Sequence, residues 1–289
     1  MNKSKFRVTG ILLLFGFFFN IGSSYAYTVA GANGSITPDS ANWAFDGTFI
    51  SGFRGALENP ANFGPGGIVE ESITTVGLDA INAATLATAD MFVSTWISDS
   101  DGAAFGGAVV DFFLNGGDLY LLQDDSSHDY IGELLGITTS VSTGSVSNGG
   151  VPLFNGPFGT ATNVTQHYSV GQLSGADIAA RNGNIGGTNV EGQITSAFWA
   201  AGEYAAGAGS LFIVADIDMI ATTTPATYGS CLSPVCGADY DTLNDNAIYA
   251  LNTFSFLREN GGTSVPEATS MYLFAFGLLG LLGAVRRKA

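Results

Sequence analysis

Three pairs of acidic residues follow apolar segments that are typical of buried strands. The pairs are Asp99 and Asp101, Asp124 and Asp125, and Asp216 and Asp218. Ligands of an open parallel sheet bind beyond the carboxyl ends of its strands, so neighbouring strands would bring these six carboxylates to one edge. Carboxylate oxygens suit calcium and magnesium, so a calcium ion is one interpretation of this pattern, although the sequence as a whole requires no cofactor. Alternatively, each aspartate caps the helix after its strand, because Asp is a preferred N-cap residue.

Paired carboxylates also permit acid–base chemistry on a polysaccharide. A glycoside hydrolase needs two carboxyl groups that lie about 5 to 9.5 Å apart, a spacing that the linear sequence does not reveal. Serine nucleophile chemistry is not indicated, because Ser126, Ser127 and His128 are consecutive and no Gly-x-Ser-x-Gly elbow surrounds them. An extracellular hydrolase and a cation-dependent carbohydrate-binding module therefore stay open as alternative functions.

The segments that carry these aspartates predict an α/β domain. Residues 90–97, 118–123 and 210–215 are apolar runs typical of buried strands. Apolar residues at positions 105, 109, 112 and 113 share one face of a helix between the first two runs. Strand, helix and strand at this spacing predict a parallel sheet with crossover connections.

Two further regions complete the predicted domain. Residues 137–195 are rich in Gly, Ser, Thr and Asn, which predicts short β elements and loops. Asn244 and Asp245 can cap a last helix, with apolar residues from Ala247 to Leu257 on one face. That helix would end at the glycine pair after Asn260.

The segment from about residue 78 to residue 136 is similar to a known family. Its strand from Asp90, its helix, the Gly116-Gly117 turn and the next strand resemble the core of class I glutamine amidotransferase-like domains. The resemblance implies a flavodoxin-like sandwich with a mostly parallel sheet, here with a glycine-rich insertion. Enzymes of the family carry a cysteine at the elbow after the strand that ends here at Leu122. This chain has Gln123-Asp124-Asp125 at that position, so the resemblance implies a relative without amidotransferase activity.

The first 26 residues have the three parts of a secretory signal peptide. Basic residues precede an apolar stretch over residues 8–21, and Ser24 and Ala26 are small residues where a signal peptidase reads the chain. Cleavage after Ala26 would leave Tyr27 at the new N-terminus. A retained membrane anchor is the alternative. The partners implied are the secretion machinery and signal peptidase.

The C-terminal residues 265–289 combine a short motif, an apolar run and a basic cluster. The motif is Val265, Pro266 and Glu267, and the cluster is Arg286, Arg287 and Lys288. No residue from 268 to 285 is charged, and a helix of that length would span about 27 Å, enough for a bilayer core. The positive-inside rule would keep the cluster in the cytoplasm and the domain outside. The sequence therefore predicts one C-terminal transmembrane helix.

The order of these three parts resembles the PEP-CTERM sorting signal of Gram-negative bacteria. The resemblance implies that an exosortase-type membrane protease processes the tail. It also implies that the protein reaches the cell surface or an exopolysaccharide matrix. The family usually has proline after the glutamate, where this chain has Ala268. A plain membrane anchor is the alternative.

The charges and cysteines of the chain fit an exported protein. The formal net charge is −16, and the region between residues 8 and 285 holds three basic residues against all twenty-five acidic ones. Such a domain repels phosphate backbones, which excludes nucleic acid as a partner. Cys231 and Cys236 are the two cysteines, and an oxidising compartment predicts a disulfide between them. Two free thiols are the alternative.

Together these patterns predict three parts: a signal peptide over 1–26, an α/β amidotransferase-like domain over 27–264 and a sorting tail over 265–289. The predicted function is that of a non-catalytic surface or extracellular-matrix protein. Its predicted route passes through an inner-membrane intermediate that is anchored by the C-terminal helix.

Overall fold

The computed structural model describes residues 26–143, 146–150, 152–166, 170–220 and 245–261. These residues form an α/β domain around a large mixed sheet of nine strands, with two small two-stranded sheets beside it. The strands are β1 (Tyr27–Ala32), β2 (Ile73–Leu78), β3 (Met91–Ser94), β4 (Asp118–Gln123), β5 (Thr139–Ser142), β6 (Val146–Asn148), β7 (Asn155–Gly156), β8 (Gly159–Thr160), β9 (Val164–Thr165), β10 (Val170–Leu173), β11 (Asn184–Asn189), β12 (Ile194–Trp199) and β13 (Leu211–Ala215).

Short helices connect most of the strands. The α-helices are α1 (Ser51–Leu57), α2 (Ala83–Leu86), α3 (Asp99–Gly102), α4 (Gly106–Leu114), α5 (Tyr130–Leu134), α6 (Gly175–Ala180) and α7 (Asn246–Asn260), and 3-10 turns lie at Pro38–Ser40, Thr48–Ile50 and Ile217–Met219. None of the helices in the described ranges has the length and apolarity to span a bilayer. Residues 1–25, Cys231, Cys236, His167 and the whole sorting tail lie outside the described residues.

The large sheet has a parallel half and an antiparallel half. Its strand order is β2-β1-β3-β4-β13-β12-β11-β6-β9. The first five strands pair in parallel. The other four continue the sheet in antiparallel pairs. The glycine-rich region was expected to form short β elements, and it supplies much of the antiparallel half.

The centre of the sheet is covered on both faces. Every residue of β4 is buried, and successive residues point into opposite layers of the core. Tyr120 and Leu122 pack in the layer that contains α1 and α7. Leu119 and Leu121 pack in the layer that contains α4, α5 and α6. This two-sided burial is why strands β3, β4 and β13 appear in the sequence as continuous apolar runs.

Helix boundaries follow the signals in the sequence. Helix α4 ends before Gly116, which has φ of 104°, and α5 ends before Gly136, which has φ of 70°. Glycine adopts these left-handed conformations without steric cost, so it is favoured after a helix. The predicted strand over 90–97 is shorter in the structure and covers Met91–Ser94. The chain after Ser94 turns toward α3.

Helix α7 differs from its predicted one-sided pattern because polar residues on its other faces are buried too. The Asn252 side chain accepts a hydrogen bond from the Phe158 N–H (2.9 Å) and donates one to the Gly159 carbonyl (2.9 Å). Asn246 bonds both backbone groups of Thr165 in the same way. The insertion therefore covers α7, and backbone groups of β8, β9 and their neighbours supply hydrogen-bond partners for these two buried amides.

Candidate functional site

The three acidic pairs follow three neighbouring strands. Strand β4 pairs in parallel with β3 on one side and with β13 on the other. Ser94 is opposite Leu121, and Ala215 is opposite Gln123, so the three strands end at nearly the same level. We call the edge of the sheet where β3, β4 and β13 end the carboxyl edge. The prediction that the pairs follow adjacent strands at one edge is confirmed.

Asp124 and Asp218 form the buried centre of the carboxyl edge. Each is only 5% exposed. Burial raises the pKa of Asp124 to about 7; the charge of Asp125 adds to this rise, and the Trp96 indole opposes it. Burial also raises the pKa of Asp218, and the charge of Asp124 raises it further. Because both carboxyl groups are buried and a charge on Asp124 disfavours a charge on Asp218, the pair retains a proton near neutral pH.

Asp216 lies beside this pair but has a capping role. It is fully buried, and its carboxylate accepts a hydrogen bond from the Asp218 backbone N–H at 2.8 Å. That bond caps the 3-10 turn Ile217–Met219. The capping alternative from the sequence therefore describes Asp216 correctly.

Asp99 also binds backbone N–H groups, although not those of its own helix. Its Oδ1 accepts hydrogen bonds from the N–H groups of Asp129 and Tyr130, both at 3.2 Å, at the start of α5. Ser98 caps α3 instead, by accepting from the Asp101 N–H at 3.3 Å. Asp101 lies inside the first turn of α3. Asp99 therefore stabilises the start of α5 at the carboxyl edge.

Asp125 organises a tight turn with Ser127 and His128. Its Oδ1 accepts hydrogen bonds from the Ser127 N–H (2.9 Å) and hydroxyl (2.6 Å), and it lies 3.0 Å from His128 Nδ1. Partial burial acts to raise the pKa of Asp125, but the Ser127 and His128 contacts outweigh it and hold that pKa below its usual range. The loop after β4 is therefore held by an ionised carboxylate.

This turn brings together the three residue types of a hydrolase triad in a different geometry. Ser127 Oγ lies 3.0 Å from His128 Nδ1, so consecutive residues do approach each other, contrary to the expectation from the sequence. In a triad the serine and the aspartate bond opposite ring nitrogens of the histidine. Here both contact Nδ1, and the serine hydroxyl bonds the aspartate directly. The arrangement stabilises the turn and does not form a proton relay.

A row of aromatic side chains borders the carboxyl edge, and sequence reasoning did not identify it. The His128 ring stacks on Trp96 with 3.7 Å between centroids and 14° between planes. Trp96 lies 5.8 Å from Trp43, which lies 4.3 Å from Phe49. We call these four half-buried residues the aromatic row. Trp96 was predicted inside the strand over 90–97 and lies two residues after β3 in the structure, whereas Trp43 and Phe49 lie in a segment without clear periodicity.

Metal binding at the carboxyl edge stays a prediction. Within the described ranges, no group of three or more His, Cys, Asp or Glu side chains is placed to hold a metal ion. Asp99, Asp125 and Asp216 are engaged by N–H donors of the chain itself. A small cavity of about 10 Å³ beside Gln123 and His128 has room for about one water molecule.

No protein-family model matches the chain, and no curated protein is similar to it. Among solved structures, the chain is similar to the "mmIFT52 N-terminal domain" with 13% identity and a TM-score of 0.43. That match covers 68% of this chain and 87% of the other. A similarity this distant carries no argument about function.

Proposed function

We propose that the protein is exported and sorted to the cell surface or extracellular matrix, where its α/β domain acts by binding and not by catalysis. A signal peptidase would remove residues 1–26. An exosortase-type protease would recognise residues 265–289 in the inner membrane. The domain between them is then the part that reaches the surface.

One observation carries this proposal: the described domain lies between the predicted signal peptide and the predicted sorting tail. Strand β1 begins at Tyr27, the first residue after the predicted cleavage. Helix α7 ends at Asn260, a few residues before Val265. Removal of either segment would therefore leave every described helix and strand intact. The acidic composition suits a soluble domain outside the cell.

The parallel half of the sheet supports an amidotransferase-like, flavodoxin-like domain. Its order β2-β1-β3-β4-β13 is the flavodoxin-like order of a doubly wound sheet. After β4, where the enzymes have cysteine, Asp124 is buried and favours its neutral form. A buried carboxyl group cannot replace a thiolate nucleophile. This favours a binding role over amidotransferase chemistry.

The sorting step can be tested with variants of the motif. Pro266→Ala combined with Glu267→Gln should leave the protein in the inner membrane, because the protease would lose its recognition motif. Thr263→Ala is the matched control, since it lies just before the motif and should reach the surface like the wild type. Fractionation of producing cells followed by immunodetection measures the distribution. Equal surface amounts of motif variant and control would reject the sorting role.

The aromatic row favours carbohydrate as the second candidate function. Flat aromatic rings pack against the C–H faces of sugar rings, and neighbouring carboxylates and hydroxyls bind sugar hydroxyl groups. Trp96, His128 and Asp125 supply such a combination at the carboxyl edge. Exopolysaccharide of the matrix is the ligand class that fits both this surface and the proposed destination.

Binding to exopolysaccharide can be measured by affinity electrophoresis, with millimolar calcium or with a chelator. Trp96→Ala should weaken retardation at least severalfold, since it removes a central ring of the aromatic row, the one on which His128 stacks. Leu114→Ala, at an exposed position on α4, is the matched control and should bind normally. Dependence on calcium would support the cation-dependent form of the proposal. Identical retardation of both variants and wild type would exclude the aromatic row as a sugar-binding surface.

A further inference from the structure

A second group of charged residues lies at the opposite edge of the sheet, where the parallel strands begin. A cavity of about 1100 Å³ opens there, and we call it the amino-edge cavity. Tyr27 and Asp118, the first residues of β1 and β4, form part of its wall. Ala26 and Gly261, at the two ends of the described domain, also line it. The predicted site of signal-peptide cleavage is therefore at this cavity.

The wall of the amino-edge cavity is acidic. The charged residues lining it are Glu71, Asp90, Asp111, Asp118, Glu259 and Arg258. Arg258 pairs with Glu71 and lies 3.5 Å from Glu259, so it already has acidic partners. Negative charge is in excess, and one more cation here would be favourable.

Asp118 is the most buried of these acidic groups. It accepts hydrogen bonds from the Tyr27 hydroxyl and the Ser210 N–H, both at 2.7 Å. Burial nevertheless raises its pKa to about 7, and those hydrogen bonds oppose the rise. Burial also raises the pKa of the Tyr27 hydroxyl, which therefore stays neutral. A positive charge nearby would favour the ionised form of Asp118.

The backbone nitrogen of Tyr27, a residue that lines the amino-edge cavity, is held in a fixed position. It donates a hydrogen bond to the Ser72 carbonyl at 2.9 Å. The next N–H along the chain, that of Thr28, donates to Asp90 Oδ2 at 2.7 Å. The Tyr27 ring also packs edge-on against Phe254, with 6.0 Å between centroids. The Tyr27 nitrogen is thus one residue before the N–H that binds Asp90, and the Tyr27 side chain is anchored by Asp118 and Phe254.

We propose that the amino-edge cavity is the binding site for the α-ammonium group that cleavage after Ala26 creates on Tyr27. This inference rests on the proposed export. Hydrolysis breaks the bond between the Ala26 carbonyl carbon and the Tyr27 nitrogen. Water supplies a hydroxyl group to the carbon and a proton to the nitrogen. At neutral pH the new amine binds another proton, which gives a positive charge that the precursor lacks.

The consequence is that maturation stabilises the exported fold. Asp90, Asp118 and Glu71 favour the protonated amine, and Arg258 opposes it from α7. The carboxylates should raise the pKa of the amine above the ~7.7–8.0 of a free α-amino group. The charged amine therefore stabilises the fold fully at pH values below the ordinary pKa of an α-amino group. This stabilisation disappears as pH rises through the raised pKa of the amine in the folded protein.

The test compares two forms of the mature chain, residues 27–289, purified in detergent with Tyr27 at the N-terminus. One keeps its free amine, and the other is acetylated at that amine, which removes the charge without changing any side chain of the domain. At pH 6.5 the free-amine form should melt roughly 2–4 °C higher. The difference should shrink as pH passes the raised pKa, which pH-dependent labelling of the amine measures directly.

Two substitutions assign the effect to the cavity. Asp90→Asn keeps an acceptor for the Thr28 N–H but removes the charge, and it should lower the pKa of the amine toward its ordinary value. Asp111→Asn removes an exposed charge on the cavity wall and is the matched control, with a smaller effect. Equal melting of the acetylated and free forms, together with an amine of ordinary pKa, would overturn the proposal. Since both termini are defined in vitro, this result is independent of where cells cleave the precursor.

Discussion

At the residue scale, the aspartates of the carboxyl edge differ in how their negative charge is accommodated. Asp99 and Asp216 accept hydrogen bonds from backbone N–H groups, and Asp125 accepts from Ser127. Burial raises the pKa values of Asp124 and Asp218, and the charge of Asp124 raises that of Asp218 further. The repulsion expected among gathered carboxylates is thus relieved by capping and by retained protons. A bound cation is a third means, which calcium titration of the domain can test.

Replacing Asp124 with asparagine should stabilise the protein at alkaline pH. Burial raises the pKa of Asp124 in the folded state to about 7. The contribution of this group to the free energy of unfolding is therefore greatest below the pKa of Asp in the unfolded chain, and it is lost as pH rises through the folded-state pKa. Asparagine does not titrate. At pH 8 the free energy of unfolding of Asp124→Asn should exceed that of wild type by about 2–4 kcal/mol. At pH 5 the difference should be less than half as large.

Asp125→Asn is the control for this measurement, because the pKa of Asp125 is lowered and its charged form is the one that the turn stabilises. It should lose stability at pH 8. Denaturant unfolding of both variants at the two pH values gives the comparison. An Asp124→Asn protein no more stable than wild type at pH 8 would show that this carboxyl group is hydrated and ionised in the folded state.

The sequence located the six aspartates but could not divide them by role. Their positions after apolar runs were enough to predict a common edge, because parallel neighbours end together. Whether a given aspartate is buried depends on the loops that cover it, and those loops are distant from it in sequence. Asp99 shows the difficulty: the helix start that it caps is 30 residues away in sequence. The aromatic row was missed for the same reason.

At the element scale, the elements next to the site were the most predictable. Strand β4, helices α4 and α5 and their glycine ends follow local signals: apolar runs, a helical repeat and left-handed glycines. The antiparallel half was not predictable in its position, since short glycine-rich strands carry little register information. Burial of the polar side of α7 was not predicted, because it depends on contacts with an insertion some 90 residues earlier.

Asn252 gives this account of α7 a test. Asn252→Ala removes the hydrogen bonds to the Phe158 N–H and the Gly159 carbonyl, which a buried side-chain amide makes, and it removes the packing of that amide. The free energy of unfolding should fall by about 1–3 kcal/mol. Asn260→Ala, at the exposed end of the same helix, should change it by less than ~0.5 kcal/mol. Equal losses in the two variants, measured by denaturant unfolding, would contradict the role of the insertion as a cover for α7.

At the scale of the whole molecule, the domain has two edges with different surroundings. The carboxyl edge combines protonatable aspartates with the aromatic row. The amino edge holds the large acidic cavity and both ends of the described domain. Three residues separate Gly261, in the wall of this cavity, from Val265 of the proposed sorting motif, so the amino edge is the one nearer to the tail in sequence. The carboxyl edge is the surface proposed for matrix ligands.

The central claim is that cells deliver this domain to their surface after removing the signal peptide and the sorting tail. Mass spectrometry of the protein recovered from the surface or matrix fraction tests it most directly. The account predicts Tyr27 at the N-terminus and no peptide containing the basic cluster at 286–288. A surface protein that retains Met1 and an intact C-terminal tail would contradict it.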